Sequence, residues 1–244
     1  MSGKEKAVFY WSGGKDSALC LHRVLQEGKY EVLCLLTNVS EQYRRITMHG
    51  VSEELLDSQA RSIGLPLEKI YLSQSPDNTE YERKTEETLL RFKARGVTKV
   101  IFGDIFLEDL RAYRDKGLQK AGMEGVYPLW VERQADYRKE TEKLFREFLS
   151  LGFKSITCCV NDAFLNEHMV GRLLDEEFLS ELPPNVDPCG ENGEYHSFAF
   201  DGPIFNEPVP VKAGEKVYRP LEIKTDTDSV TRGFWYCELF SSKQ

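Results

Sequence analysis

Up to residue 131, short apolar runs rich in strand formers alternate with longer stretches of helical periodicity, and few folds accommodate that alternation. The clearest run, residues 32–37 between Glu31 and Asn38, has no polar alternation, as expected of a strand buried on both faces of a parallel sheet. Residues 7–11, 69–72, 99–102 and 126–130 read as further strands. Helices are expected from Ser17 to a stop at Gly28, from Glu53 to Gly64 behind a Ser52 cap, over 79–95 closed by Gly96, and over 107–120. Glu80/Lys84 and Arg83/Glu87 are spaced i,i+4 and read as pairs on a solvated face. Strands separated by helices of this length require an α/β fold, a doubly wound parallel sheet with helices on both faces.

Beyond residue 131 the pattern changes. Asp136 is placed to cap a helix ending at Leu151, residues 153–160 read as a strand, and 167–182 as a helix broken by Pro183-Pro184. Short alternating segments follow at 196–200, 209–211, 216–223 and 231–240, set among Gly, Pro, Asn and Asp. The expected organisation is a doubly wound domain over 1–131 and a second, smaller α+β domain over 132–244 with an antiparallel tail. No internal repeat is present.

Lys and Arg number 32 against 40 Asp and Glu, a net charge of −8, so overall charge gives no attraction to a nucleic-acid backbone or an anionic membrane. No apolar run approaches the roughly 20 residues of a spanning helix, and the start of the chain lacks the apolar core of a secretory signal. A cytoplasmic protein with neither membrane nor nucleic-acid partner is expected. The six cysteines are scattered without a CxxC pair, and adjacent Cys158 and Cys159 point to opposite faces of a strand. With four histidines in no ligating spacing, a structural metal site is not expected.

The chemistry concentrates in Ser12-Gly13-Gly14-Lys15-Asp16-Ser17, between the first strand and first helix. Two glycines let the backbone turn tightly against an oxyanion, and a helix start supplies unpaired N–H groups and the positive end of its dipole. This is a phosphate site without Walker geometry, because Asp16 follows Lys15 where Ser or Thr belongs. An ordinary glycine-bearing turn is the plain alternative. Ser12 and Ser17 are placed as phosphate donors; Lys15 either neutralises phosphate or faces solvent; Asp16 either holds Mg²⁺ or caps the helix. Asn38 with Ser40, and Gly103 with Asp104, end later strands at the edge where such a fold binds its ligand.

Ser12 to Ser17 resembles the PP-loop of the ATP pyrophosphatase superfamily, with its adenine nucleotide alpha hydrolase-like, HUP-type fold. Asp187-Pro-Cys-Gly-Glu-Asn-Gly-Glu-Tyr-His-Ser-Phe198 and Asp201-Gly-Pro-Ile-Phe205 narrow the likeness to the diphthine–ammonia ligase family. The chain has Thr47-Met48-His49-Gly50, Gly103-Asp104-Ile105 and the run from Leu107 to Arg114 where archaeal and eukaryotic members are expected to differ, so it looks like a bacterial branch. The resemblance implies an ATP- and Mg²⁺-dependent, AMP-forming amide ligase: an acid is adenylated, then amidated with ammonia. The acid is diphthine on elongation factor 2 in an archaeal or eukaryotic host and unassigned otherwise, with a homodimer left open.

On that reading Glu191, Glu194 and His196 form a second constellation: carboxylates over the acyl adenylate accept the proton of ammonium, and His196 joins them or binds the substrate. A polar turn leading into a strand is the plain alternative. His49, Arg111 and Arg114 are candidates for the substrate cleft. Cys189 reads as a small filler rather than a sulfur carrier. Competing functions are a PP-loop enzyme acting on a small acid or a tRNA base, and a nucleotide-binding module without turnover.

Overall fold

The computed structural model describes residues 3–46, 50–73, 77–133, 137–224 and 229–242. Five parallel strands form the first sheet in the order β3-β2-β1-β4-β5: β1 (Glu5–Tyr10), β2 (Tyr30–Ser40), β3 (Leu67–Leu72), β4 (Lys99–Ile101) and β5 (Glu124–Val126). Four helices connect them: α1 (Lys15–Glu27), α2 (Glu53–Ile63), α3 (Asn78–Ala94) and α4 (Glu108–Lys120). Alternate β1 residues serve opposite cores: Ala7, Phe9 and Trp11 pack with Leu21 and Leu55 of α1 and α2, while Val8 packs with Leu89, Phe92 and Leu118 of α3 and α4. Burial on both faces is why the strands read as unbroken apolar runs. The sheet is doubly wound, and its strand order reverses between β1 and β4, where such folds open a crevice at the carboxyl ends.

Local signals fixed most helix ends. Ser52 Oγ accepts from Leu55 N at 3.4 Å at the start of α2, and Gly64 closes that helix at φ 80°. Asp77 caps α3 by accepting from Glu80 N at 2.7 Å. Glu80 and Lys84 do more than solvate a face: Lys84 Nζ donates to Tyr71 O at 2.6 Å, and Glu80 accepts from Ser73 N at 3.0 Å, pinning the end of β3. The expected Asp136 cap lies outside the described residues.

A second, antiparallel sheet has the order β7-β6-β9-β8, from β6 (Lys154–Asn161), β7 (Tyr195–Asp201), β8 (Val211–Lys224) and β9 (Ser229–Ser241), with α5 (Tyr137–Ser150) and the short α6 (Glu176–Glu181) beside it. Three expectations are corrected here. The fifth strand is Glu124–Val126 rather than 126–130, because β4 pairs only there and Pro128 has no N–H to extend a ladder. The expected helix over 167–182 is a 3₁₀ turn at Glu167–Met169 followed by α6. Between them Gly171, at φ 79°, turns the chain along β6, where Gly171 N and Leu174 N donate to Thr157 O and Ser155 O at 2.8 and 2.9 Å. The short segments expected near the end form instead one long hairpin of β8 and β9, paired from Val211↔Ser241 to Lys224↔Ser229.

One apolar cluster runs through both sheets, joining Phe9, Trp11 and Leu56 to Phe198, Ala199 and Ile204. Arg23 of α1 spans the same junction, donating to Glu147 of α5 and to Pro128 O. Among the described residues, no helix is long and apolar enough to cross a membrane.

Candidate active site

The loop after β1 is shaped by what its glycines leave out. Gly13 has φ 79°, and a Cβ there would meet Gln59 Oε1 at 2.9 Å. Gly14 ends the loop in extended conformation without a side-chain cap, and α1 begins at Lys15, two residues before the expected start. A helix start with no side-chain cap keeps donors for an anion. Ser17 Oγ donates to Gly14 O at 3.0 Å, so the Ser12 hydroxyl is the donor in its 3.0 Å contact with Ser17 Oγ. Gly103 lets the end of β4 close on this helix start: a Cβ would lie 3.1 Å from Ser17 N.

Lys15 does not face solvent. It is 3% exposed, its Nζ donates to Asp16 at 2.7 and 2.9 Å and to the Cys189 carbonyl, and its ammonium lies 5.1 Å over the Tyr195 ring. Burial disfavours that charge, but the Asp16 carboxylate more than offsets it and holds the Lys15 pKa above its ordinary value. Lys15 N donates to Ser197 Oγ at 3.2 Å, so the first helix is tied to the second sheet by both ends of one residue.

The turn before β7 is organised by Asp187, which the sequence reading passed over. Its buried carboxylate accepts from Cys189 N at 2.9 Å, Glu191 N at 3.2 Å and Thr141 Oγ1 at 2.6 Å. Gly190 and Gly193 take left-handed φ of 69° and 84°, which sends Glu191 and Glu194 in different directions. Glu191 points into the cavity, accepts from Ile105 N at 2.8 Å, and has its pKa pushed up to about 8, first by burial and then by Asp16. Glu194 lies off the cavity wall, fully buried, where Oε1 accepts from Asp187 N at 3.0 Å and Asn192 Nδ2 at 2.9 Å.

These elements enclose a cavity of about 290 Å³. Ser12, Lys15, Asp16 and Ser17 lie on the loop side, Gly103, Asp104 and Arg114 beside them, and Cys189, Glu191, His196 and Ser197 on the side of the second sheet. Arg114 Nε meets Asp104 at 2.9 Å. Asn38 is placed behind Tyr10, donating to its hydroxyl at 2.5 Å. Arg111 is off the cavity, its guanidinium 4.8 and 4.5 Å from the Tyr127 and Trp130 rings. The buried Cys189 thiol is pushed well above its ordinary pKa by burial and donates to Thr141 O at 3.2 Å, so it is held as a thiol. His49 lies outside the described residues.

Gln59 was also missed. Fully buried on α2, it accepts from Trp11 Nε1 at 2.9 Å and donates through Nε2 to Gly13 O at 2.9 Å and Ala199 O at 2.6 Å. A glutamine between Leu56 and Ala60 on an apolar stripe was the available signal.

A phosphate-type loop at the switch point of a doubly wound sheet, closed by a turn from an antiparallel sheet, defines an α/β protein of the PP-loop, HUP-type class. Residues 5–125 match the family model of the diphthamide synthase N-terminal domain and residues 140–227 that of its C-terminal domain. The chain belongs to the diphthamide synthase family. It is 26% identical over 229 residues to the diphthine–ammonia ligase of Homo sapiens, covering 84% of this chain and 82% of that protein. Against the diphthine–ammonia ligase of Schizosaccharomyces pombe it is 26% identical over 225 residues, again 84% of this chain, but spans only 36% of that relative's length.

Proposed function

We propose that this chain is an ATP-dependent, AMP-forming carbon–nitrogen ligase that activates an acid and amidates it with ammonia. The observation that carries the reading is the junction at Lys15: the loop of one sheet and the Asp187 to Ser197 turn of the other share a single cavity. The names of the relatives support diphthine as the acid in a host that makes it.

The donors suit a nucleotide. The helix start and the Ser12 and Ser17 hydroxyls receive the β- and γ-phosphates, and Lys15 offsets their charge. The acid oxygen attacks the α-phosphorus in line, and pyrophosphate leaves into the loop. Among the described residues no three His, Cys, Asp or Glu side chains converge as a metal cluster, which suits Mg²⁺ bound mainly through phosphate, with Asp16 and Asp104 as the protein carboxylates nearest to hand. When bound, Mg²⁺ supplies charge neutralisation on the leaving pyrophosphate. Ammonia then displaces AMP from the acyl carbon, with Glu191 accepting the proton of ammonium and His196 orienting the acid.

Chromatography of the turnover products tests this: AMP and pyrophosphate are expected in equal amounts with the amide. ADP and inorganic phosphate as sole products would refute it. Asp16→Ala is expected to weaken ATP binding, read by calorimetry, with an unchanged circular dichroism spectrum.

A further inference from the structure

A second cavity, of about 160 Å³, opens between α3 and α4 on the opposite face of the first sheet from α1 and α2. Four rings line it: Tyr10 stacks on Phe102 at 5.4 Å and 26°, and Tyr81 on Tyr113 at 6.4 Å and 29°. We propose that this cavity is a separate ligand site that takes an uncharged planar heteroaromatic ring of one or two fused cycles. The inference goes beyond the ligase reading and does not depend on it.

Size sets the first limit. An apolar cavity of about 150 Å³ holds one benzene-sized molecule, so this space admits a ring and excludes a whole nucleotide. Charge sets the second. Of the ionic side chains that line the cavity, Arg114 is paired with Asp104 and Lys120 with Glu82, which leaves Glu86 and Lys116, one of each sign. A charged ligand gains nothing from that balance.

The demand for a heteroatom comes from Thr85. Its Oγ1 faces the cavity region, is shut off from solvent and has no hydrogen bond among the described residues. A threonine inside a helix ordinarily bonds the carbonyl four residues back, as Thr88 does here to Lys84 O at 2.9 Å. Thr85 leaves that option unused, and a buried hydroxyl without a partner is costly unless something fills the position.

Gly117 is the second independent sign. It lies inside α4 and lines the cavity, it has no left-handed φ, and a Cβ built there would meet nothing within 4 Å. Glycine is a poor helix residue, and neither the backbone nor a close neighbour requires it here. What it preserves is open space at the mouth of the cavity. Tyr10, Phe102 and Arg114 line both cavities, so an occupant would press on the walls of the nucleotide cavity without entering it.

Calorimetric titration with indole, and separately with free adenine, tests the site in the whole chain. Saturable binding of at least one probe at millimolar concentration is expected. Gly117→Leu should abolish it while keeping wild-type affinity for ATP and a melting temperature at or above that of the wild type. Thr85→Val keeps the shape and removes the hydroxyl, and should weaken binding by about tenfold, the worth of one hydrogen bond. No binding of either probe, or equal binding in Gly117→Leu, overturns the proposal. Loss of ATP binding in a folded Gly117→Leu protein overturns it differently, by making the cavity part of the nucleotide site. Should Gly117→Leu not fold, Thr85→Val decides, and unchanged affinity refutes the role of the hydroxyl and with it the proposed ligand class.

Discussion

Replacing Glu191 by glutamine is expected to lower the rate of amide formation by roughly 10²–10⁴, the usual loss when a positioned acid–base group is removed. ATP affinity should hold, because Glu191 belongs to the turn of the second sheet and Ile105 N, its partner at 2.8 Å, can still donate to the amide oxygen. A base works best when its pKa lies near the operating pH, and burial beside Asp16 pushes Glu191 up to about 8. The wild-type rate should therefore climb with pH through about 8, and that limb should vanish in Glu191→Gln. Stability moves the other way. A carboxyl whose pKa is raised on folding stabilises fully below its ordinary value of 4.5 and loses that contribution as pH rises through about 8. Melting curves across that window should fall more steeply for the wild type than for the variant. Glu194→Gln is the control: its Oε1 can keep both of its bonds at the back of the turn, so its rate loss should be far smaller. Equal losses from the two variants would remove the acid–base role from Glu191.

Gln59→Leu should cost about 2–4 kcal/mol of stability, since an unpartnered buried polar group costs roughly 1–3 kcal/mol and this side chain serves Trp11, Gly13 and Ala199 at once. In a chain of this size that corresponds to a melting temperature lower by about 5–15 °C. The Trp11 indole N–H is the severest loss, because Gly13 O keeps its second bond, from Ala199 N at 2.9 Å. Differential scanning calorimetry decides the matter; a change within about half a kcal/mol, as at an ordinary surface position, would mean that the clamp is dispensable.

The doubly wound sheet was legible because its signals are local. An unalternating run such as residues 32–37 reports burial on both faces, and Ser52 and Gly64 mark helix ends through bonds to their own neighbourhood. Ser12 to Ser17 was legible for the same reason, as a tight loop that opens a helix. Gln59 was not, since its partners come from three distant segments and its value appears only when the two sheets meet. The division of labour between Glu191 and Glu194 was hidden as well. It depends on Gly190 and Gly193 both turning left-handed, which no spacing rule announces. The β8–β9 hairpin escaped because its length is set by cross-strand pairing, to which the broken alternation around Gly214 gave no clue.

The ties between loop and turn bear on how this protein can be cut or recombined. Residues 1–131 look like a transplantable cassette, yet Trp11 and Leu56 pack into an apolar cluster completed by Phe198 and Ile204. Lys15, severed from the Cys189 carbonyl and Ser197, would meet water instead of the surroundings that hold its charge beside Asp16. A truncated first half would therefore be sticky and a poor nucleotide binder. A chimera that keeps the cassette must import Asp187 to Ser197 with it, so the two stretches are best treated as one heritable unit that happens to be written in two places.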